Sequence, residues 1–263
     1  MGVTRRLAAV FAHPDDDAFG VFGSIALHLD DGIEVLTVLA TRGEAGPIAD
    51  PSLATPENLG TVREAEARSA YAALGVPDVQ LHFLGYPDGG VADIDRDEAV
   101  ARTADLLAEF RPDVVVGFGP EGVTKHDDHV AMHHVATGAF HAARERAEDG
   151  FRRLLYVGIP QTEIELFQDF QREAGMEPFN PEDPFAPRGV PDETIGASVD
   201  CSAVWRKKYD ALREHRTQAE ELEGFPDAAL PLVFGREHFV IGWPERAPGS
   251  ERLGDVFEGL DAG

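Results

Sequence analysis

Cysteine occurs once, at Cys201, so no intrachain disulfide can form, and any metal must be held by His, Asp and Glu rather than by thiolates. The expected role of Cys201 is that of a buried structural thiol. Long hydrophobic runs are missing as well: none approaches the ~18 apolar residues of a membrane span. The N-terminal stretch MGVTRRLAAVFAHPDDD reaches acidic residues too soon for a signal peptide, so the expected location is the cytoplasm. Lysine is scarce, with Lys125, Lys207 and Lys208 the whole complement, and 48 Asp and Glu against 23 Lys and Arg leave a formal net charge of −25. A field of that sign repels phosphates and excludes nucleic acid as a partner. The acid excess reads either as adaptation to high internal salt, where surface carboxylates keep a protein hydrated and mutually repulsive, or as the mark of a generally acidic proteome.

What is present is an ordinary globular composition, 43% hydrophobic and 27% charged, in a length that supports one domain over residues 1–263. Short continuous apolar runs, LAAVFA (7–12), EVLTVLA (34–40), LHFLG (81–85), DVVVGFG (113–119) and LLYVGIP (154–160), read as buried strands. Between them, 18–29, 61–74, 97–110, 129–148 and 161–174 carry helical spacing, and 202–223 returns to it. Residues 47–58 read as a loop forming a lid or wall. A Pro-rich surface loop is expected near 176–194, and a polar, flexible acidic tail after Trp243. The alternation predicts an α/β fold, a Rossmann-like three-layer sandwich with a mainly parallel sheet. Ligands in such folds bind beyond the carboxyl ends of the strands, which singles out 13–17, 41–44, 86–88 and 120–129.

Those segments hold the polar chemistry. In AHPDDD, His13 ends a strand while Asp15, Asp16 and Asp17 crowd the next turn, and their mutual repulsion invites a cation. A bare DDD would read as a helix cap, but the preceding histidine favours a metal site. In KHDDHVAMHH, His126, His129, His133 and His134 fall within nine residues, and imidazoles three or four apart on a helix share a face. The HExxH pattern is absent. Three ligands from His and Asp with an open fourth position is the catalytic form of a zinc site.

These residues resemble the LmbE-like, or PIG-L, family of de-N-acetylases. The resemblance rests on AHPDD (12–16), TRGE (41–44), REAE (63–66), PDGG (87–90) and HDDH (126–129), and extends weakly to KYDALREHRTQ. It implies that His13, Asp16 and His129 bind Zn2+, with another divalent ion such as Fe2+ as the alternative. It makes Asp15 the general base, has His126 stabilise or protonate the tetrahedral intermediate, and has Asp128 orient His126. Glu44, Arg63 and Asp88 are implied substrate contacts. The implied activity is removal of an acetyl group from the amide nitrogen of an N-acetylglucosamine-type conjugate, and homo-oligomers are compatible with the family. Two positions depart from the family pattern: Asp127 stands where Pro is common, and Thr124 replaces an aromatic residue. Gly43 and Gly89 read as turn residues, and His133 and His134 as packing groups.

Other readings are an amidase cleaving a thiol-sugar conjugate and a non-catalytic metal- or sugar-binding protein. A phosphohydrolase of the HD type, prompted by His126-Asp127, conflicts with the strands because that fold is all-helical. For Arg63 the competing expectation is an exposed helix arginine paired with Glu66.

Overall fold

The structure is a computed structural model that describes residues 5–173, 175–180, 183, 185–219, 226–247 and 249–260. Its first half is built from the elements the apolar runs predict. These are β1 (Arg6–Phe11), α1 (Asp16–Leu27), β2 (Glu34–Leu39), α2 (Leu59–Leu74), β3 (Gln80–Phe83), α3 (Arg96–Phe110), β4 (Val114–Phe118) and α4 (Asp127–Arg146). Strands β1, β2 and β4 are buried along almost their whole length, as expected of parallel strands covered by helices on both faces. After β5 (Arg153–Val157) come the two-residue strands β6 (Ile159–Pro160) and β7 (Gly189–Val190), which pair with each other and flank α5 (Gln161–Glu173).

A seven-stranded sheet runs in the order β3-β2-β1-β4-β5-β9-β8, where β8 is Ile195–Asp200 and β9 is Arg236–Trp243. The pairs from β3 to β5 are all parallel, and β9 runs antiparallel to both of its neighbours. The chain moves outward from β1 to β3 and then crosses back to β4. With right-handed crossovers, α1 and α2 therefore fall on one face and α3 and α4 on the other. Helix α6 (Trp205–Leu212) packs with α1 and α2, and α4 lies on β1 and β4, giving the expected three layers.

The point where the strand order reverses lies between β1 and β4, whose register pairs Leu7 with Val114 and Val10 with Gly117. Glycine at 117 permits a close approach here, because a Cβ would stand 3.1 Å from the Val10 carbonyl oxygen and 3.2 Å from Ala136 Cβ. In an open α/β sheet such a switch point is where a crevice opens for ligands.

Four expectations are corrected. The run 154–160 is two strands, since Gly158 turns the chain out of the main sheet; its N–H donates to His238 O (3.1 Å). Strands β8 and β9 went unread because β9 opens with Arg236, Glu237 and His238. Glu237 is nevertheless buried, accepting from Gly23 N (2.7 Å), Ser24 N (2.8 Å), Ser24 Oγ (2.6 Å) and Lys208 Nζ (2.7 Å). The helix expected over 202–223 stops at Leu212 and gives way to a 3-10 turn at Arg216–Gln218; 220–223 lie outside the described residues. The tail after Trp243 folds back, burying Val256 and Phe257 while Arg153 donates to Val256 O (2.7 Å) and Glu258 O (2.8 Å). Cys201 is buried as expected, and burial pushes its thiol well above the ordinary range.

Candidate active site

His13 follows β1 and the segment 119–129 follows β4, so the switch point brings together two turns more than a hundred residues apart in sequence. The three adjacent aspartates do not converge on one point. Each has its own partner. Asp15 pairs with Arg63 Nη2 (2.8 Å). Asp16 accepts from His13 N (2.7 Å) and faces both His13 and His129. Asp17 points into the core, where Tyr71 Oη donates to it at 2.6 Å, and burial raises its pKa to about 6. The repulsion inferred from sequence is relieved mainly by divergence.

His13, Asp16 and His129 form the compact centre. His13 Nδ1 lies 3.2 Å from His129 Nε2 and 3.4 Å from Asp16 Oδ2, and His129 Nε2 lies 3.3 Å from Asp16 Oδ1. Ligand bonds of 2.0–2.1 Å in a tetrahedron put donor atoms about 3.3–3.4 Å apart, so each of these approaches has the size a zinc-type site needs, the two imidazoles facing different oxygens of Asp16.

The tautomers agree. His129 Nδ1 donates to Gly122 O (2.9 Å), which turns the Nε2 lone pair inward, and Phe118 stacks on its ring at 4.0 Å. His13 Nε2 faces the carboxylates of Asp88 (3.0 Å) and Asp128 (3.2 Å), so its Nδ1 presents the lone pair. His13 Nδ1 and His129 Nε2 face each other at 3.2 Å, so either a proton on His13 Nδ1 or a cation must lie between them. Burial alone would depress the His13 pKa, but hydrogen bonds with Asp128, Asp16 and Asp88 outweigh it and raise it well above 6.5. Burial likewise opposes ionisation of Asp16, yet the charges and hydrogen bonds of His129 and His13 hold it well below the usual carboxylate range. A pocket that favours positive charge this strongly suits a metal ion.

A second cluster, His13, His126 and Asp128, also brings its donor atoms within 4.8 Å of one another. It is the poorer metal site, because Asp128 already accepts from Gly89 N (2.7 Å) and Val91 N (2.9 Å) and shares His13 with the first cluster. The Asp128 carboxylate contacts His13 Nε2 at 3.2 Å, whereas its link to His126 among the described hydrogen bonds runs through its backbone N–H. The reason is local. His126 is the N-cap of α4, and its Nδ1 accepts from the Asp128 backbone N–H (3.2 Å). Neutral His126 therefore carries its proton on Nε2. Burial, followed by the nearby His13 and His129, lowers its pKa, so it stands as a neutral donor.

Asp88 and Glu44 interlock. Glu44 accepts from Asp88 N (3.1 Å), and Asp88 accepts from Ala45 N (2.8 Å) while orienting His13. Arg63 is neither exposed nor paired with Glu66: it donates to Gly43 O (3.0 Å), Pro14 O (2.8 Å) and Asp15. Gly43 and Gly89 adopt positive φ, as turn residues should, and His133 donates to Phe118 O (2.9 Å) away from the centre. Thr124, at the position of the family's aromatic residue, places Oγ1 3.4 Å from His129 Nδ1.

Sequence reasoning missed Phe185, an exposed ring 5.7 Å from that of His126, which the Pro-rich segment carries to the mouth of the site. It also assigned no role to Thr217 and Gln218, and read Glu66 only as an alternative partner of Arg63.

Fold and site together define an α/β protein with a candidate His-Asp-His metal site flanked by a carboxylate and a neutral imidazole, a layout that suits metal-assisted hydrolysis. Residues 8–140 match the family model described as PIG-L, GlcNAc-PI de-N-acetylase. The 1D-myo-inositol 2-acetamido-2-deoxy-alpha-D-glucopyranoside deacetylase of Salinispora arenicola is 31% identical over 295 residues, covering 97% of this chain and 92% of that protein. Among solved structures, a conserved protein of Thermus thermophilus superposes with a TM-score of 0.61 at 24% identity, over 95% of this chain and 100% of that one. GalB, the 4-carboxy-2-hydroxymuconate hydratase of Pseudomonas putida, does so with a TM-score of 0.59 at 21% identity, over 94% of this chain and 100% of that one. The chain belongs to the PIG-L family.

Proposed function

We propose that this protein is a zinc-dependent N-deacetylase that releases acetate from an N-acetylglucosamine-type conjugate, of which the inositol glycoside named for its relatives is the first to test. The observation that carries the reading is the His13–Asp16–His129 triangle with Asp15 beside it. The shared fold does not separate a hydrolase from a hydratase such as GalB; kinship at about a third identity with named deacetylases favours hydrolysis.

His13, Asp16 and His129 would hold the ion. When bound, zinc supplies Lewis acidity, making water nucleophilic at neutral pH and polarising the acyl carbonyl. Asp15 takes the proton of the attacking water and passes it to the departing amine nitrogen. His126 Nε2–H donates to the oxygen on which charge develops, a hydrogen bond that strengthens as the tetrahedral centre forms. Asp88 and Asp128 keep His13 in the tautomer that exposes Nδ1. The hydroxyl-rich sugar meets Asp88 and Glu44 at the rim and the Phe185 ring at the mouth. The proposed setting is the cytoplasm, in keeping with a lone, buried cysteine.

The test is amine release from 1D-myo-inositol 2-acetamido-2-deoxy-alpha-D-glucopyranoside by zinc-loaded wild type and by Asp15→Ala, with metal content measured in both. Activity in the wild type alone, at equal zinc, supports the reading. Equal activity in both removes Asp15 from the mechanism, and zinc binding with no turnover of any amino-sugar conjugate favours a binding protein.

A further inference from the structure

The REAE helix and the HRTQ turn meet beside Arg63, and a buried side chain on each side of that contact has hydrogen-bonding capacity left over. His215 is 3% exposed, and neither its Nδ1 nor its Nε2 has a partner among the described residues. Arg63 is buried as well. Its terminal nitrogens donate to Asp15, Pro14 O and Gly43 O, while its Nε has no partner among the described residues.

Both groups are held in place. The His215 N–H donates to Leu212 O (3.1 Å) and its carbonyl accepts from Gln218 N (3.0 Å), which fixes the backbone on either side of the ring. Thr217 is bonded through its N–H and its hydroxyl to Glu66, one turn along α2 from Arg63. The two sides converge on Gly46, where a Cβ would stand 2.5 Å from Arg63 Nη1 and 3.5 Å from Gln218 Oε1. The Arg63 charge acts on the His215 ring ahead of that of Asp16, and together with burial it keeps the imidazole neutral.

A neutral imidazole offers one donor and one acceptor, and Arg63 Nε–H is a further donor. Buried polar groups are costly when left unmet, so a ligand that both accepts and donates is called for. An anion satisfies the donors but not the acceptor nitrogen, and a metal cation is opposed by the guanidinium. Water satisfies all of them, and two to four polar partners are what a buried water needs.

We infer that His215 and Arg63 Nε enclose a buried hydration site, in which a water accepts from Arg63 Nε–H and donates to the unprotonated nitrogen of His215, so that the HRTQ turn braces the arginine through it. The inference does not rest on the reaction assigned above.

A crystal structure of the protein at about 1.5 Å resolution is expected to show an ordered water within about 2.7–3.2 Å of both Arg63 Nε and a His215 nitrogen. A direct bond between the two side chains, or apolar atoms filling the gap, overturns the inference. So does a halide in place of water, revealed by the anomalous signal of bromide-soaked crystals. In His215→Phe the ring displaces the water and leaves Arg63 Nε without an acceptor, so the urea midpoint at about pH 8, above the range in which His215 takes up a proton, is expected to fall. His215→Gln keeps a donor and an acceptor and is expected to recover part of that loss. A His215→Phe midpoint at or above the wild-type value shows the space to be dry and overturns the inference; should the variants fail to fold, the wild-type crystal structure decides alone.

Discussion

Glu66 clasps Thr217 across 151 residues of sequence, its two carboxylate oxygens accepting from the Thr217 N–H at 2.9 Å and the hydroxyl at 2.7 Å. The same turn receives Ala49 N at Thr217 O (2.9 Å) and sends Gln218 Nε2 to Pro47 O (2.9 Å). The REAE helix, the HRTQ turn and the start of the 47–58 wall are thus buckled together one turn from Arg63. Thr217→Val removes a buried donor and leaves a carboxylate oxygen wanting, so we expect a loss of about 1–3 kcal/mol in denaturant unfolding. An unchanged midpoint would show that the buckle does not contribute to stability.

His215, in that buckle, has both ring nitrogens buried without a hydrogen-bond partner among the described residues, and burial followed by the Arg63 charge lowers its pKa to about 3. The unfolded chain takes up a proton at His215 below about pH 6.5, whereas the folded protein refuses it until about pH 3. Stability from this group is therefore complete above about pH 6.5 and drains away as the pH falls toward about 3, by roughly 5 kcal/mol at most. We expect urea unfolding to weaken across that window, and His215→Phe to flatten the dependence. A variant with the wild-type slope would place the acid sensitivity elsewhere.

Asp128 and Asp88 hold His13 from behind, so their effect should appear in metal affinity. Asp128→Asn replaces one acceptor oxygen with a donor among groups that all donate. We expect zinc affinity to fall about 10–100-fold, measured by competition with a chelator, while His129→Ala and Asp16→Asn abolish stoichiometric binding. Wild-type affinity in all three would mean that the ion sits elsewhere.

His126 lies beside the triangle as a neutral donor. His126→Ala should therefore retain zinc and lose about 10²–10³-fold in kcat. Loss of zinc in that variant would instead promote His126 to a ligand.

The formal charge of −25 sets a response to salt. Raising ionic strength shortens the Debye length and relieves self-repulsion, so the melting temperature should climb between dilute buffer and about 1 M KCl, where that length is about 3 Å. Each kcal/mol gained is worth roughly 2–4 °C at this size. A falling melting temperature would show that repulsion does not govern the salt response, and with it would go the reading of adaptation to high internal salt.

The parallel half of the fold was legible because β1, β2 and β4 are apolar on both faces and separated by helices of clear period. The donor atoms were legible because His13 and Asp16 sit in one turn and His126 to His129 in another, and because strand ends at a switch point must meet. Partnerships between distant residues were not. Nothing local to Arg63 announces Asp15 as its partner, since Glu66 is the nearer carboxylate in sequence. Nor does anything local announce the contact of the Asp128 carboxylate with His13, since His126 is the nearer imidazole in sequence. Strands β8 and β9 escaped because Glu237 reads as surface until Lys208 is seen to neutralise it. The 185 position escaped because a Pro-rich segment carries no period from which to infer where an aromatic ring will land.

The β1–β4 alignment has a further consequence. Sliding one strand past the other by a single residue would shift the downstream turn by about 3.3 Å, as much as the spacing between the donor atoms, and would exchange which side chains meet the helices on each face. Binding of the proposed ion would therefore depend on correct strand pairing, and a chain that misaligns there would lack the site however well its helices form.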